Sequence, residues 1–281
     1  MIKTLATDCL GFHIPFIEAA QAAVKAGFAG YWLNINTDSQ SDLALTQDIL
    51  SRYPIQATGF NLPVEYRKDE ATFMNDLKDL ERKVKYAHEI GANRCATWII
   101  PSHQELTYKQ NFDLHCKRLR QVCEIIGEYD MNFGLEFIGP AKLRRNVNYE
   151  FAHTLDQMLE LCQALNYQKA GILMDVWHWD MAGQNFDDFK KFASPDQISV
   201  VHINDAPAYI QFEDQEDLVR RLPGETGVLK ISEFFCGLRS IGYQGPVLVE
   251  PFVPSLSALS FDKALEVVMK SINHVWPIGM K

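Results

Sequence analysis

The feature that most constrains this chain is a regular alternation of short apolar segments with helical patterns along its 281 residues. Strands are predicted at 3–7, 29–34, 55–62, 93–100, 132–138, 170–176, 198–203 and 246–251. Helices are predicted after them at 16–26, 41–53, 69–90, 107–129, 150–165, 185–192, 231–241 and 261–274. Continuous apolar strands that alternate with helices are typical of a parallel sheet covered by helices.

Eight such units predict the α/β class and a single (β/α)8 TIM barrel, which typically needs about 250 residues. A doubly wound open sheet is the alternative, and it is disfavoured because no glycine-rich phosphate-binding turn follows the first strand. The sequence contains no linker or charge block, so we expect one domain over residues 1–281. Ser41 is the predicted N-cap of the second helix, and Gly27 suits the end of the first.

The charge balance and the cysteines narrow the function classes. Lys and Arg number 27 against 36 Asp and Glu, a net charge of −9, which argues against nucleic-acid binding because phosphate contacts need a basic surface. The six cysteines form no C-x-x-C pair, which fits reduced thiols in a cytoplasmic protein. The sequence has neither a signal-peptide layout at its start nor an uncharged apolar run of about 18 residues. We therefore expect a soluble cytoplasmic protein without a membrane partner.

Polar residues stand at the ends of the last four predicted strands, where a barrel places its active site. They are Glu136 in GLEFIGP, Asp175 in GILMDVWHW, His202 in SVVHINDA and Glu250 in PVLVEPF. A charged group in such an apolar run is costly unless it is paired or coordinates a metal. For any one residue, helix capping or an ion pair is the alternative. Taken together, the four predict a divalent-metal site.

Two further residues are candidates for contact with a substrate. His178 follows Asp175 by three residues, and we expect it over the barrel mouth, either as a donor to a substrate oxygen or as part of an aromatic cluster. Arg220 lies in a long Pro- and Gly-containing connection, where it would hold a hydroxyl or anion, or else pair with Asp217 or Glu216.

A last group of residues follows the strands and has both a pocket and a structural interpretation. The basic cluster that follows the fifth strand is an anion site or a solvated face. The isolated histidines and the tryptophans, named below, either line the pocket or have a structural role. These residues are Lys142, Arg144 and Arg145; His13 and His103; and Trp32, Trp98 and Trp177.

Five motifs in order, GLEFIGP, GILMDVWHW, VHINDA, LPGETGVL and LVEPF, resemble the xylose-isomerase-like TIM-barrel superfamily of sugar isomerases and epimerases. Within it, the inosose (2-keto-myo-inositol) isomerases of inositol catabolism are the most similar group. The resemblance covers essentially the whole chain and is strongest over 132–252. It implies metal ligation by the four strand-end residues, with Glu136 and Glu250 also acting as the catalytic acid and base. It further implies substrate contacts by His178 and Arg220.

The sequence departs from one branch of this superfamily. Where ketose 3-epimerases carry a second glutamate six residues after the first ligand, this chain has Lys142, and where they carry an arginine six residues after the metal histidine, it has Ala208. The insert at 143–146 is also unlike the isomerases. These departures count against a ketose 3-epimerase and leave the substrate open.

The implied activity is proton transfer next to a carbonyl, through an enediolate, on a small polyol or keto-sugar. A divalent metal ion, Mn, Zn, Mg or Co, is the implied cofactor. One alternative is a metal-dependent dehydratase of a keto-inositol or dehydroshikimate-like substrate. Another is a non-catalytic sugar-binding barrel. An abasic-site endonuclease is opposed by the net charge and by His202 being the one histidine at these strand ends. The oligomeric state stays open, a homo-oligomer being one option.

Overall fold

The computed structural model describes residues 1–277, and its eight barrel strands close into a parallel barrel. The predicted fold is therefore confirmed, while the predicted domain 1–281 includes residues 278–281, which lie outside the described residues. Each strand pairs with its neighbours in sequence, and β1 closes the barrel against β8. The strands are β1 Ile2–Leu5, β2 Gly30–Leu33, β3 Gln56–Asn61, β4 Arg94–Ile99, β5 Asn132–Phe137, β6 Ala170–Asp175, β7 Ile198–Ile203 and β8 Pro246–Val249.

Helices follow the strands, and two short ones, Ile35–Asp38 and Val176–Met181, were not predicted. A two-stranded antiparallel ribbon, Ser102–His103 with Tyr149–Glu150, joins two loops. Among the described residues, no helix has the length and apolar character needed to cross a bilayer. The helices are α1 Phe16–Ala26, α2 Ile35–Asp38, α3 Leu43–Arg52, α4 Glu70–Lys78, α5 Leu80–Glu89, α6 Tyr108–Gly127, α7 Leu155–Ala164, α8 Val176–Met181, α9 Ile231–Ser240 and α10 Phe261–Val275.

Three helix predictions were wrong in detail. The segment 69–90 is two helices, α4 and α5, because Asp79 ends the first and begins the second. The helix predicted from Glu150 begins only at Leu155, because Glu150 belongs to the ribbon and Thr154 caps the helix by accepting the Gln157 N–H. The segment predicted at 185–192 forms a 3-10 helix over Phe186–Lys191.

The barrel interior carries an apolar layer of six residues, five on strands and one directly after β1. They are Ala6, which follows β1, and Trp32, Ala96, Leu173, Val200 and Leu248. Two residues beyond Leu173, Val200 and Leu248 stand Asp175, His202 and Glu250. Since side chains alternate between the two faces of a strand, the three polar residues share the interior face with the apolar layer beneath them. The fold therefore places them at the carboxyl-end mouth of the barrel.

The N-cap of α3 provides a first prediction. Asp42, rather than the predicted Ser41, caps this helix, because its carboxylate accepts the Leu45 N–H at 2.8 Å. Asp42→Ala should lower the free energy of unfolding by about 1 kcal/mol, the usual value of such a cap. The matched change Ser41→Ala should stay within about 0.5 kcal/mol, as surface substitutions do. Urea unfolding of both variants checks this, and equal losses would contradict the assignment.

A second prediction concerns Asp38, a buried carboxylate that accepts the Phe16 N–H at the start of α1. Burial raises its pKa from 3.8 to about 6. A carboxyl with a raised folded pKa stabilises the protein fully below the unfolded value and loses that contribution as pH rises through the folded value. The contribution of Asp38 to the unfolding free energy should therefore fall by roughly 2–3 kcal/mol between about pH 4 and pH 6. In unfolding curves recorded across this pH range, Asp38→Asn should lose this decrease in unfolding free energy. A pH dependence equal to that of the wild type would contradict the role of Asp38.

Candidate functional site

Four polar side chains from successive strands meet at the barrel mouth. Each of Glu136, Asp175, His202 and Glu250 offers one ligand atom, and these atoms all lie within 4.8 Å of one another. His202 Nδ1 is 3.4 Å from Glu250 Oε2 and 3.8 Å from both Glu136 Oε1 and Asp175 Oδ2. Glu250 is partly exposed, and the other three are buried. The structure thus brings together the four residues that the strand ends predicted.

Several of these atoms lack a partner although they are buried. Among the described residues, Glu136 Oε1 and both ring nitrogens of His202 have no hydrogen-bond partner. Burial, together with the carboxylates of Glu250 and Asp175, raises the pKa of Glu136 well above its ordinary value. Unpaired buried polar atoms cost free energy, and a divalent cation would satisfy them. Three carboxylates and one imidazole suit Mn, Mg, Zn or Co, so the residues present fit such an ion.

Arg220 lies inside this cluster and is buried, at 1% exposure. Its Nη1 donates to Asp175 Oδ2 at 2.8 Å and to Glu250 Oε2 at 3.1 Å. Its Nε and Nη2 donate to the carbonyl and carboxylate of Asp217 at 2.7 and 2.6 Å, and Nη2 is 3.1 Å from His178 Nε2. Four of the five guanidinium N–H groups therefore have oxygen acceptors. The fifth faces His178, whose other ring nitrogen, Nδ1, faces the Gly139 N–H, and a neutral imidazole accepts only one hydrogen bond.

The carboxylates and Arg220 shift one another's pKa. Burial alone lowers the pKa of the Arg220 guanidinium, but Asp175, Asp217 and Glu250 outweigh this effect and raise it. Burial likewise raises the pKa of Asp175, and Arg220 is the largest of the opposing influences that bring it below its ordinary value. Asp175 and Arg220 therefore form a charged pair.

His178 also lies beside the cluster, on α8. It is buried, and its Nε2 is 3.9 Å from Glu136 Oε1 and 3.5 Å from Asp217 Oδ1. Burial lowers the pKa of His178 below its ordinary value. The structure thus places the imidazole within reach of Glu136 and of Arg220.

The tryptophans differ in position. Trp177 is wholly buried, and the Arg220 guanidinium lies 5.3 Å from its ring centre, so it supports the arginine. Trp32 belongs to the apolar layer under the site. Trp98 pairs in register with Glu136 on the neighbouring strand and is 45% exposed, which places it at the mouth. The guanidinium of Arg67 stacks 4.1 Å over the ring of Trp98.

The predicted loop residues have partners of their own. Lys142 Nζ donates to Glu216 Oε1 at 2.5 Å, and Arg145 pairs with Asp214 at 2.9 Å. The basic cluster thus binds acidic residues of a neighbouring loop; its third member, Arg144, donates to the Gly139 carbonyl. His103 Nδ1 accepts the backbone N–H groups of Glu105 and Leu106, and His103 lines a cavity with Tyr66, Arg67 and His115. His13 is exposed, and its Nδ1 lies 2.9 Å from Asp8 Oδ1.

Three residues at the site were missed from the sequence. The Cys9 thiol, just after β1, is 4.0 Å from Glu250 Oε1. Asn204 is buried and donates to both carboxylate oxygens of Asp175 at 3.2 Å. Asp205 accepts four backbone N–H groups with its two carboxylate oxygens and so closes the loop that carries Arg220. The donors are Ala206, Thr226, Gly227 and Leu229. The signal available in the sequence was position, since Asn204 and Asp205 directly follow β7.

Comparison with known proteins agrees with this fold. A family model described as "Xylose isomerase-like TIM barrel" matches residues 20–273. An inosose isomerase of Halalkalibacterium halodurans is 30% identical over 158 residues, which cover 56% of this chain and 52% of that protein. The chain thus spans about half the length of this curated relative.

Solved structures share the whole fold. A xylose isomerase domain protein from Alicyclobacillus acidocaldarius superposes with a TM-score of 0.83 at 23% identity, over 98% of both chains. The IolI protein, solved with a bound zinc atom, superposes with a TM-score of 0.81 at 17% identity, again over 98% of both chains.

The four hydrogen bonds that Asp205 accepts from backbone N–H groups lead to a third prediction. Asp205→Asn replaces one acceptor oxygen by an NH2 group, which would face two N–H donors and leave them buried without a partner. Each such group costs about 1–3 kcal/mol. We expect a lower melting temperature and faster amide hydrogen exchange at 226–229. The exposed carboxylate of Glu213 serves as the control through Glu213→Gln, and unchanged exchange in Asp205→Asn would contradict the role.

Proposed function

This chain belongs to the xylose isomerase-like TIM barrel family, and from that premise we propose that it is a divalent-metal-dependent isomerase or epimerase of a keto-inositol or keto-sugar. The observation that carries the proposal is the buried cluster in which Glu136 and His202 keep unpartnered ligand atoms facing two further carboxylates. The likeness to inosose isomerases and the zinc bound by the IolI protein support it.

The residues proposed to hold the metal are Glu136, Asp175, His202 and Glu250. When bound, such an ion acts as a Lewis acid that stabilises the negative charge developing on a substrate oxygen. Asn204 holds Asp175 through both carboxylate oxygens, so this ligand has a fixed orientation. Such hydrogen bonds from outside the ligand set are a common feature of metal sites.

Glu136 and Glu250 are the proposed acid and base. One carboxylate removes the proton from the carbon next to the carbonyl, and the other, or water, returns a proton to the resulting enediolate. Burial raises the pKa of Glu136 above its ordinary value, which favours proton uptake by this carboxylate. His178 is the proposed donor to a substrate oxygen, and the exposed ring of Trp98 is a proposed wall beside Glu136. His103 and Lys142 remain predicted substrate contacts, whereas the wholly buried Trp177 offers a substrate no exposed surface.

The fourth prediction tests the two glutamates. Wild-type protein with Mn²⁺ should catalyse solvent-deuterium exchange into 2-keto-myo-inositol at the carbon beside the carbonyl, followed by NMR, and a chelator should abolish it. Glu136→Gln and Glu250→Gln should each slow exchange by about 10²–10⁴-fold, the usual contribution of a general acid or base. Glu266→Gln, on the exposed face of α10, is the matched control and should retain the wild-type rate.

The same exchange assay should also be run on ketohexoses, and the molecular masses of the products should be measured. Wild-type exchange in both site variants would disprove the assignment of the glutamates. A product lighter by the mass of one water would replace the isomerase with a dehydratase. Ligand binding without exchange, in a protein that binds Mn²⁺, would favour a sugar-binding role.

A further inference from the structure

We propose that Arg220 is the resident counter-cation of the acidic cluster, that it stabilises the metal-free protein, and that it weakens the binding of the metal. The inference rests on the metal site proposed above. It differs from a substrate-binding role, in which the guanidinium would need a donor free for a ligand.

The fold concentrates negative charge at the barrel mouth. Glu136, Asp175, Glu250 and Asp217 place four carboxyl groups around one buried space, with side chains between 0% and 20% exposed. Buried carboxylates repel one another and lose hydration, so they require a partner of opposite charge. Arg220 supplies this charge through direct contacts with Asp175, Glu250 and Asp217.

Four of the five guanidinium N–H groups are engaged by oxygen acceptors. They donate to two of the proposed metal ligands, Asp175 and Glu250, and to the carbonyl and one carboxylate oxygen of Asp217. The fifth is buried against the His178 ring, so a substrate oxygen could gain any other donor from Arg220 only if one of these four bonds broke. Its best-supported role is therefore to hold the carboxylates.

Arg220 is held in place beside the acidic cluster by its neighbours. Its guanidinium lies 5.3 Å from the ring centre of Trp177 and 4.8 Å from that of Phe252. Asp217 binds it from within the same loop, and Asp205 closes the ends of that loop. A divalent ion that binds the cluster must therefore do so close to a fixed positive charge. Repulsion between like charges in a site of low dielectric constant reduces the affinity.

Two effects of opposite sign follow for Arg220→Gln. The metal-free variant should melt at a lower temperature than the wild type, because its carboxylates lose their counter-charge. The same variant should bind Mn²⁺ at least tenfold more tightly, measured by isothermal titration calorimetry after removal of metal with a chelator. Addition of Mn²⁺ should raise its melting temperature by more than it raises that of the wild type. A merely structural arginine would lower stability without tightening metal binding.

Arg220→Lys retains the charge and should bind Mn²⁺ within about threefold of the wild type, consistent with a charge effect. The matched control is Arg118→Gln. Arg118 is also buried and binds the carbonyls of Tyr66 and Lys68 together with Glu70, outside the acidic cluster. Its loss should lower the melting temperature and leave Mn²⁺ affinity unchanged.

Mn²⁺ affinity of Arg220→Gln equal to or weaker than that of the wild type would overturn the inference. If this variant folds poorly without metal, recovery of a cooperative melt on refolding with Mn²⁺ supports the inference, and failure to recover overturns it. A wild-type protein that binds no Mn²⁺ would instead overturn the proposed metal site and the inference with it. Normal binding by the wild type with no change in Arg220→Gln would overturn the inference alone.

Discussion

The arrangement at the barrel mouth depends on one electrostatic constraint, the gathering of negative charge in a buried space. Parallel strands end at the same face of the barrel, so Glu136, Asp175 and Glu250 are brought together by topology. The apolar layer beneath them leaves them little solvent. The surrounding structure compensates for this charge: Arg220 pairs with the carboxylates, Asn204 holds Asp175, and the loop that carries Arg220 is closed by Asp205.

The barrel was predictable from the sequence because strands buried on both sides form continuous apolar runs, and helices between them show a different period. The four residues of the cluster were predictable for the same reason, since each interrupts or ends such a run. The break at Asp79 was not, because one residue ends α4 and begins α5 without disturbing the apolar period. The start of α7 was displaced because Glu150 pairs with a strand that is distant in sequence.

Contacts between loops also lay beyond sequence patterns. The pairing of Arg220 with Asp217 follows from their spacing, but its contacts with Asp175 and Glu250 depend on how the loop folds back over the barrel. Cys9 reaches the site because β1 and β8 are neighbours when the barrel closes, although they are at opposite ends of the chain. Lys142 pairs with Glu216 across two loops, a contact that no local period reveals.

The loop between β7 and α9 combines anchored ends with exposed apolar side chains between them. Its two ends meet at Asp205, whose carboxylate binds backbone N–H groups at 226, 227 and 229. Between these ends, Tyr209, Phe212 and Leu218 are exposed. Because the anchoring is made by main-chain amides, it does not depend on the side chains at these exposed positions, whereas Asp217 and Arg220 in the same loop are fixed by their contacts at the cluster. Substitution of these exposed residues would therefore alter the surface of the loop without loosening its attachment to the barrel.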